Sequence, residues 1–185
     1  NYVISLAVSN YAQYNDYFRY SQSDSMQIVN YIYPENLGEL KPQLDKTPDM
    51  LELFSQKFGL YPFIKEKYGH AEFGRIAGME NQTISSMGVF NDNIMAHELG
   101  HQWFGDKITC RDWQNIWLNE GFATYTEAVY EEAVSGKAAY DEFIKSKMSF
   151  SKTATGTIYV QDVNNINEIF SGNRSYAKGC VVLHM

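Results

Sequence analysis

The chain has 185 residues, of which 44% are hydrophobic and 15% aromatic, enough for one domain with a substantial core. Its formal net charge is −7, and the acidic excess is spread along the chain without a basic run, which argues against nucleic-acid binding. No apolar run reaches the roughly 18 residues that span a membrane. Cys110 and Cys180 are not spaced as a metal pair, and one disulfide or two buried thiols fit equally well.

The N-terminal region predicts short β-strands. Residues 1–33 are rich in Tyr, Val, Ile, Phe and Ser, with Asn and Asp at the breaks, a composition typical of strands and turns. The first segment, Tyr2–Val8, is strand-like. The clearest strand is predicted over Met26–Tyr33 and ends at Pro34, because proline cannot donate to a sheet ladder.

A helical region follows, in which Pro42 and Pro48 are predicted to mark boundaries. Thr47 suits a helix N-cap, with Pro48 at the first helical position. The residues after Pro48 place their apolar side chains on one helical face. Gly59 is predicted to end this helix.

Strands are predicted again around Ala71–Gly74 and Gln82–Phe90. The segment Gln82–Met87 has two readings that the sequence leaves open. It is either an exposed sheet edge, to which a peptide could add as a further strand, or an ordinary strand within the sheet.

The second half of the chain is mainly helical. Helices are predicted at Asn93–Phe104, Ile116–Val134 and Lys137–Ser149, with the start of a last one at Tyr176–Met185. Ser151–Asp162 is predicted to be a link or a hairpin. Strands first and helices after predict an α+β fold, in which a sheet packs on helices.

The sequence His97-Glu98-Leu99-Gly100-His101 carries the strongest chemical signal. Residues i and i+4 share a helix face, so both imidazoles can reach one metal ion and Glu98 can reach a water held there. Glu120 is the natural third ligand, which leaves the fourth position of a catalytic zinc site open. Thr124 lies one turn after Glu120 and is a candidate outer partner of a ligand, although buried threonines often bond only their own helix.

A surface helix could carry these polar residues without any metal. The flanking residues are apolar, however, from Ile94 and Met95 before the motif to Trp103 and Phe104 after it. They predict a buried helix. Two histidines and a glutamate buried together need polar partners, and a zinc ion supplies them.

Four segments in the right order closely resemble the aminopeptidase N family of gluzincin metallopeptidases, whose relatives include leukotriene A4 hydrolase. They are Ala77–Asn81, His97–Gly105, Trp117–Ala123 and Tyr176–Gly179. Tyr61-Pro62-Phe63 is also similar to the family. Together the four segments cover the C-terminal part of the chain, from residue 77 onward.

The resemblance implies a thermolysin-like zincin catalytic domain with a mixed sheet, whose edge strand packs on the helices that carry the metal. It implies one Zn²⁺ per chain, held by His97, His101 and Glu120. Glu98 is then the general base, a role that its place beside the metal also favours. Tyr176 resembles the family tyrosine that stabilises the transition state.

The segment Ala77–Asn81 gives the exopeptidase prediction. In the family, the glutamate at the position of Glu80 binds the free α-amino group of the substrate, and Met79 resembles a residue that lines the first side-chain pocket. Gly78 belongs to the same substrate-binding segment. Ala77 departs from the glycine that is usual at its position.

The sequence therefore predicts a zinc-dependent aminopeptidase that acts on peptides with a free N-terminus. One alternative is a bifunctional epoxide hydrolase and aminopeptidase similar to leukotriene A4 hydrolase. Another is a non-catalytic zinc- or peptide-binding module. The sequence leaves open whether the protein is secreted, periplasmic or cytoplasmic.

Two boundaries follow from the resemblance. Residues 1–9 are expected to be the remnant of a preceding β domain. Residues 10–185 are expected to be the catalytic domain, truncated at its C-terminal end. Flanking domains of the same full-length chain are then expected to complete the substrate cleft.

Overall fold

A five-stranded mixed sheet forms one layer of the fold in a computed structural model that describes residues 5–185. The strands are β1 (Ala12–Arg19), β2 (Ser25–Ile32), β3 (Tyr68–Glu72), β4 (Gly78–Met79) and β5 (Ser85–Met87). Their order in the sheet is β1-β2-β3-β5-β4. The β1–β2 and β4–β5 pairs are antiparallel, and β2–β3 and β3–β5 are parallel.

The helices form the other layer, which confirms the predicted α+β class. They are α1 (Leu37–Leu44), α2 (Thr47–Phe58), α3 (Asp92–Gly100), α4 (Trp117–Ser135), α5 (Lys137–Ser151), α6 (Ile166–Ile169) and α7 (Gly179–His184). A 3₁₀ turn at Trp113–Asn115 precedes α4, and a π-helical segment at Gly172–Lys178 precedes α7. No helix within residues 5–185 has the length and hydropathy needed to cross a bilayer.

The predicted strand over Met26–Tyr33 is confirmed as β2. For the strand-like Tyr2–Val8, residues 2–4 lie outside the described part of the chain. Residues 5–8 are exposed and lie in no strand, so that part of the prediction is wrong. These four residues have no neighbouring strand in the sheet, whose first pair begins at Ala12 and Ile32.

The helical region differs from its prediction at one proline. Pro42 lies inside α1 rather than at a boundary. The missing N–H costs one hydrogen bond, and the helix ends two residues later at the buried Leu44. The next helix, α2, begins at Thr47 with Pro48 in its first turn, and Gly59 ends it with a φ of 92°.

The edge of the sheet is β4, not Gln82–Met87. Ser85–Met87 forms β5, which pairs with β3 on one side and with β4 on the other. The possibility that this segment is an exposed edge is therefore wrong, because the two-residue strand Gly78–Met79 covers it. At this end of the sheet the edge strand is therefore β4, which directly precedes Glu80, and β1 is the edge strand at the other end.

The helix that carries the two histidines is shorter than predicted. It ends at Gly100 instead of Phe104, and His101 is its C-cap. The His101 backbone keeps right-handed helical angles, and its N–H donates to His97 O at 3.1 Å. The i, i+4 relation between the two imidazoles is therefore preserved.

An aromatic cluster joins α2, the sheet and the end of α3. Trp103 contacts the rings of Phe54 and Tyr61 edge-on, with centroids 6.1 and 5.4 Å apart. Its indole N–H donates to Gly59 O at 2.8 Å. This core fixes the C-terminal end of α3. Cys110 and Cys180 are free thiols, of which Cys180 is buried and Cys110 is partly exposed. The alternative of two unpaired thiols is therefore confirmed, but the expected burial holds for Cys180 alone.

Candidate metal centre and active site

The close crossing of α3 and α4 brings the predicted metal ligands together. A β-carbon on Gly100 of α3 would lie only 2.2 Å from Thr126 Oγ1 on α4. The Thr126 hydroxyl has two backbone acceptors within reach, Ala123 O of its own helix at 2.7 Å and Ala96 O of α3 at 3.1 Å. Only a glycine at position 100 permits this approach, and the two helices then present His97, His101 and Glu120 to one point.

The donor atoms fit a tetrahedral metal. Glu120 Oε2 lies 3.4 Å from His97 Nε2 and 3.4 Å from His101 Nε2. Two donors bound at about 2.0–2.1 Å with tetrahedral angles lie about 3.3–3.4 Å apart. All three side chains are buried, and their ligand atoms lie within 4.8 Å of one another. Two imidazoles and one carboxylate in this arrangement are the ligand set of a catalytic zinc site.

The other ring nitrogen of each histidine is also held. His97 Nδ1 lies 2.8 Å from Glu127 Oε1 on α4, and His101 Nδ1 lies 3.1 Å from Phe104 O. An N–H donated from Nδ1 leaves Nε2 free to bind a metal. Nε2 of each ring is the nitrogen that faces Glu120.

The sequence prediction missed Glu127 and chose Thr124 instead. The Thr124 hydroxyl donates to the backbone oxygen of Glu120 at 2.7 Å, so it bonds its own helix and its role as an outer partner is corrected. Glu127 lies seven residues after Glu120, two helical turns along the same face. That spacing was the available signal.

The site has an excess of acidic charge. Burial lowers the pKa of His101, but Glu80 and Glu120 act more strongly together and raise it to about 9. Burial opposes ionisation of Glu120, yet His101 and His97 lower its pKa to about 2. Several buried carboxylates thus surround two imidazoles, which favours a bound cation.

Glu98 lies beside the ligands but faces another neighbour. Its carboxylate lies against Gly78 of β4, where a β-carbon would be 2.1 Å from Glu98 Oε1. Burial raises the pKa of Glu98 to about 7, a value that suits a group that takes and returns a proton near neutral pH. Glu98 Oε2 is buried and has no hydrogen-bond partner within residues 5–185.

Glu80 and Glu98 form a second acidic pair at the end of β4. Carboxylate oxygens of both, together with a His101 ring nitrogen, lie within 4.8 Å of one another. His101 can give its Nε2 to only one metal, since its Nδ1 lies at Phe104 O. A metal bound by Glu80, Glu98 and His101 would therefore compete for the same imidazole nitrogen as the metal at Glu120. Met79 and Gly78 line the same cavity.

Tyr176 reaches the metal ligands from the π-helical segment. Its ring stacks on His97, with centroids 5.9 Å apart and planes 16° from parallel. Burial, followed by the charge of Glu120, raises its pKa above the ordinary value, so the phenol keeps its proton. The position of this segment depends on a glycine contact between α4 and α7, where a β-carbon on Gly121 would lie 2.8 Å from Gly179 Cα.

One cavity of about 240 Å³ is lined by the three candidate metal ligands, by Glu98 and Tyr176, and by residues 78–80. Its walls also include three apolar residues that sequence reasoning missed, Trp113, Ile116 and Phe170. The rings of Trp113 and Phe170 meet edge-on with centroids 6.0 Å apart. No motif marked these positions, because they belong to turns whose place beside the metal is set by the fold.

Solved structures share this fold. The M1 zinc metallopeptidase from Deinococcus radiodurans superposes with a TM-score of 0.80 at 24% sequence identity, covering 94% of this chain and 39% of that one. Legionella pneumophila aminopeptidase A, solved with aspartic acid, gives a TM-score of 0.77 at 17% identity over 92% of this chain and 21% of its own. The agreement shows a common fold.

Curated relatives are longer than this chain. Tricorn protease-interacting factor F2 of Thermoplasma volcanium is 35% identical over an alignment of 129 positions, gaps included, which covers 65% of this chain and 16% of the relative. Aminopeptidase Ey of Gallus gallus is 32% identical over an alignment of 181 positions, which covers 80% of this chain and 18% of the relative. The chain thus spans less than a fifth of either protein.

The family assignment rests on most of the sequence. Residues 43–185 match the peptidase family M1 domain. The matched range includes both histidines of the metal centre, Glu120, the strand before Glu80 and the π-helical segment with Tyr176. This confirms the resemblance found in the sequence, and the chain belongs to peptidase family M1.

Proposed function

We propose that the chain carries the active site of a zinc-dependent aminopeptidase, which removes N-terminal residues from peptides. One observation carries the proposal: three tetrahedrally spaced ligands lie within the same buried cavity as the Glu80–Glu98 pair. The ligand set supports metal-assisted hydrolysis with Glu98 as base, and the buried Glu80 carboxylate supports recognition of a free amine. One zinc ion per chain would be held by His97, His101 and Glu120.

Each polar residue then has one task. Zinc, when bound, polarises the scissile carbonyl and makes a water nucleophilic near neutral pH. Glu98 takes a proton from the attacking water and returns it to the leaving amine. Glu127 keeps His97 in the tautomer that leaves Nε2 free. Tyr176 donates its phenolic O–H to the oxyanion that develops in the transition state.

Binding of the α-amino group by Glu80 would restrict cleavage to the N-terminal residue of the peptide. A buried carboxylate binds an ammonium group strongly through charge-assisted hydrogen bonds, and Glu80 is only 7% exposed. Met79, the residue before Glu80, belongs to β4 and lines the cavity together with Gly78. Met79 and Gly78 therefore lie where the first side chain of the substrate would enter. A peptide whose amine is blocked loses the contact with Glu80 and leaves that carboxylate buried without its cation.

The relatives' lengths bear on the rest of the protein. Because this chain spans 16% and 18% of two of them, flanking domains are proposed to contribute to the cleft. Residues 10–185, which include the matched range 43–185, are proposed as the catalytic domain, and residues 1–9 as the remnant of a preceding β domain.

The experiment is a comparison of two substrates. The purified full-length protein is given an amino-acyl anilide with a free amine and the same anilide with an acetylated amine, before and after metal removal by a chelator. We expect cleavage of the free anilide alone, lost with the metal and restored by zinc. Equal cleavage of both anilides would contradict the exopeptidase assignment, and full activity without metal would contradict the zinc mechanism.

A further inference from the structure

The turn that follows Glu80 has an unusual backbone. Ile84 N–H donates to Asn81 O at 3.1 Å, which closes a four-residue turn from Asn81 to Ile84. Thr83, its third residue, has a φ of 66° and is the one non-glycine residue with a positive φ among residues 5–185. A turn with positive φ at its third position usually has glycine or asparagine there. A β-branched residue is strained in this conformation.

A side chain from the metal-binding segment meets this turn. Gln102 directly follows the ligand His101, and its Oε1 accepts a hydrogen bond from Thr83 N–H at 2.9 Å. Gln102 is fully buried and Thr83 nearly so. Without this acceptor, the N–H of Thr83 would be buried and unpaired.

The amide oxygen of Gln102 accepts both of the hydrogen bonds that this side chain makes. It also accepts from the Tyr61 hydroxyl at 3.2 Å, a group that has a second acceptor in Lys67 O at 3.2 Å. The amide nitrogen is buried and has no hydrogen-bond partner in the described part of the chain. The contact with Thr83 therefore depends on one oxygen, held in place by the end of α3.

We propose that Gln102 is a positioning residue for recognition of the substrate amine. The inference rests on the proposed function, in which Glu80 binds that amine. Thr83 lies three residues after Glu80, and the turn between them also bonds through Asn81, whose Oδ1 accepts from Ser86 Oγ at 2.8 Å. Gln102 holds Thr83 in its strained conformation, and this fixes the distance from the Glu80 carboxylate to the metal.

The geometry gives the proposal a specific consequence. The same short segment, His101-Gln102, supplies a metal ligand on one side and the acceptor for the Glu80 turn on the other. Loss of the acceptor allows Thr83 to relax toward negative φ, which displaces Glu80 but leaves His101 in place. Amine binding weakens, while the metal and the base remain.

The test uses Gln102→Met, which keeps the length of the side chain and removes the acceptor. With an alanyl anilide we expect KM to rise about tenfold, kcat to stay within about twofold, and the zinc content to equal that of the parent. The matched control is Tyr61→Phe, which removes the other donor to the same oxygen and should leave KM unchanged. If Gln102→Met is not obtained folded, Gln102→Asn, whose amide is one methylene too short to reach Thr83, carries the same expectation.

A rescue variant separates positioning from general damage. Glycine adopts positive φ without strain and keeps its N–H. The double variant Thr83→Gly with Gln102→Met should therefore have a KM close to that of the parent. An unchanged KM in a folded, zinc-loaded Gln102 variant would overturn the proposal, as would a fall in kcat alone or a double variant no better than Gln102→Met. The proposed function fails separately, if the parent does not distinguish the free anilide from the acetylated one.

Discussion

The two halves of the active site are built in different ways. The α3–α4 pair holds the metal ligands through regular helical spacing and a close helix crossing at Gly100. The β4 segment and its turn hold Glu80 through a two-residue strand, a strained Thr83 and a side chain from elsewhere. The first half, called the metal half, is held by the regular spacing of two packed helices. The second half, called the strand half, depends on single contacts. Substitutions in the two halves should therefore have different effects on zinc binding and on hydrolysis.

Among substitutions that leave the metal bound, the largest effect is expected from the proposed base, Glu98, which lies where the two halves touch. Glu98→Gln keeps the shape of the side chain and its place against Gly78, but it cannot take a proton. The rate should fall at least about 10²-fold, while the zinc content stays unchanged. Kinetics and metal analysis on the same preparation check this, and loss of metal together with activity would make Glu98 a ligand instead.

A comparable effect is expected at Tyr176, which reaches the site from outside both halves. Tyr176→Phe keeps the ring stacked on His97 and removes the donor to the oxyanion. We expect kcat to fall on the order of 10²-fold with little change in KM. Tyr17→Phe, at an exposed position of β1, is the control. A change in KM alone would make Tyr176 a residue that binds substrate.

Within the metal half, Glu127 and Thr124 form a matched pair on one helix. Glu127→Ala removes the partner of His97 Nδ1 and should weaken zinc binding about 10- to 100-fold. Thr124→Val removes a hydroxyl that bonds only to backbone, and it should leave zinc affinity unchanged. Titration with a competing chelator measures both. Equal losses in the two variants would remove the distinction between them.

The smallest effect is expected from the strand half. In Gly78→Ala the new methyl group would overlap Glu98 Oε1, so β4 or the carboxylate must shift. A misplaced base lowers the rate, and we expect a loss of roughly tenfold with full zinc content. Gly74→Ala, where a β-carbon meets no atom within 4 Å, is the control. Parent-like activity of Gly78→Ala would show that the base tolerates displacement.

The same contrast explains what the sequence could predict. The two histidines were found because i, i+4 spacing places them on one helix face, and Glu120 because a carboxylate on a following helix can return to that face. The structure brings the three side chains together. Glu127 lies on the same helix face as Glu120. It was missed because it follows Glu120 by two helical turns instead of one. Residues whose contacts form only in the folded chain could not be identified from the sequence. The side-chain oxygen of Gln102 bonds to Tyr61 and Thr83, which lie in other segments, and Trp113 and Phe170 meet only in the folded cavity.

The β4 region shows the limit most clearly. The motif around Glu80 was visible as a resemblance, but the sequence left open which segment forms the sheet edge. A strand of two residues carries no periodicity. Its identity as the edge depends on pairing with β5, which the chain reaches only through the strained turn at Thr83.

The most direct test is zinc content and amine selectivity measured together on His101→Ala and Glu80→Gln. We expect His101→Ala to lose zinc and all hydrolysis. Glu80→Gln should keep one zinc per chain and lose its preference for a free amine over an acetylated one. Equal zinc in His101→Ala and the parent would contradict the metal centre, and unchanged selectivity in Glu80→Gln would contradict the role of the strand half.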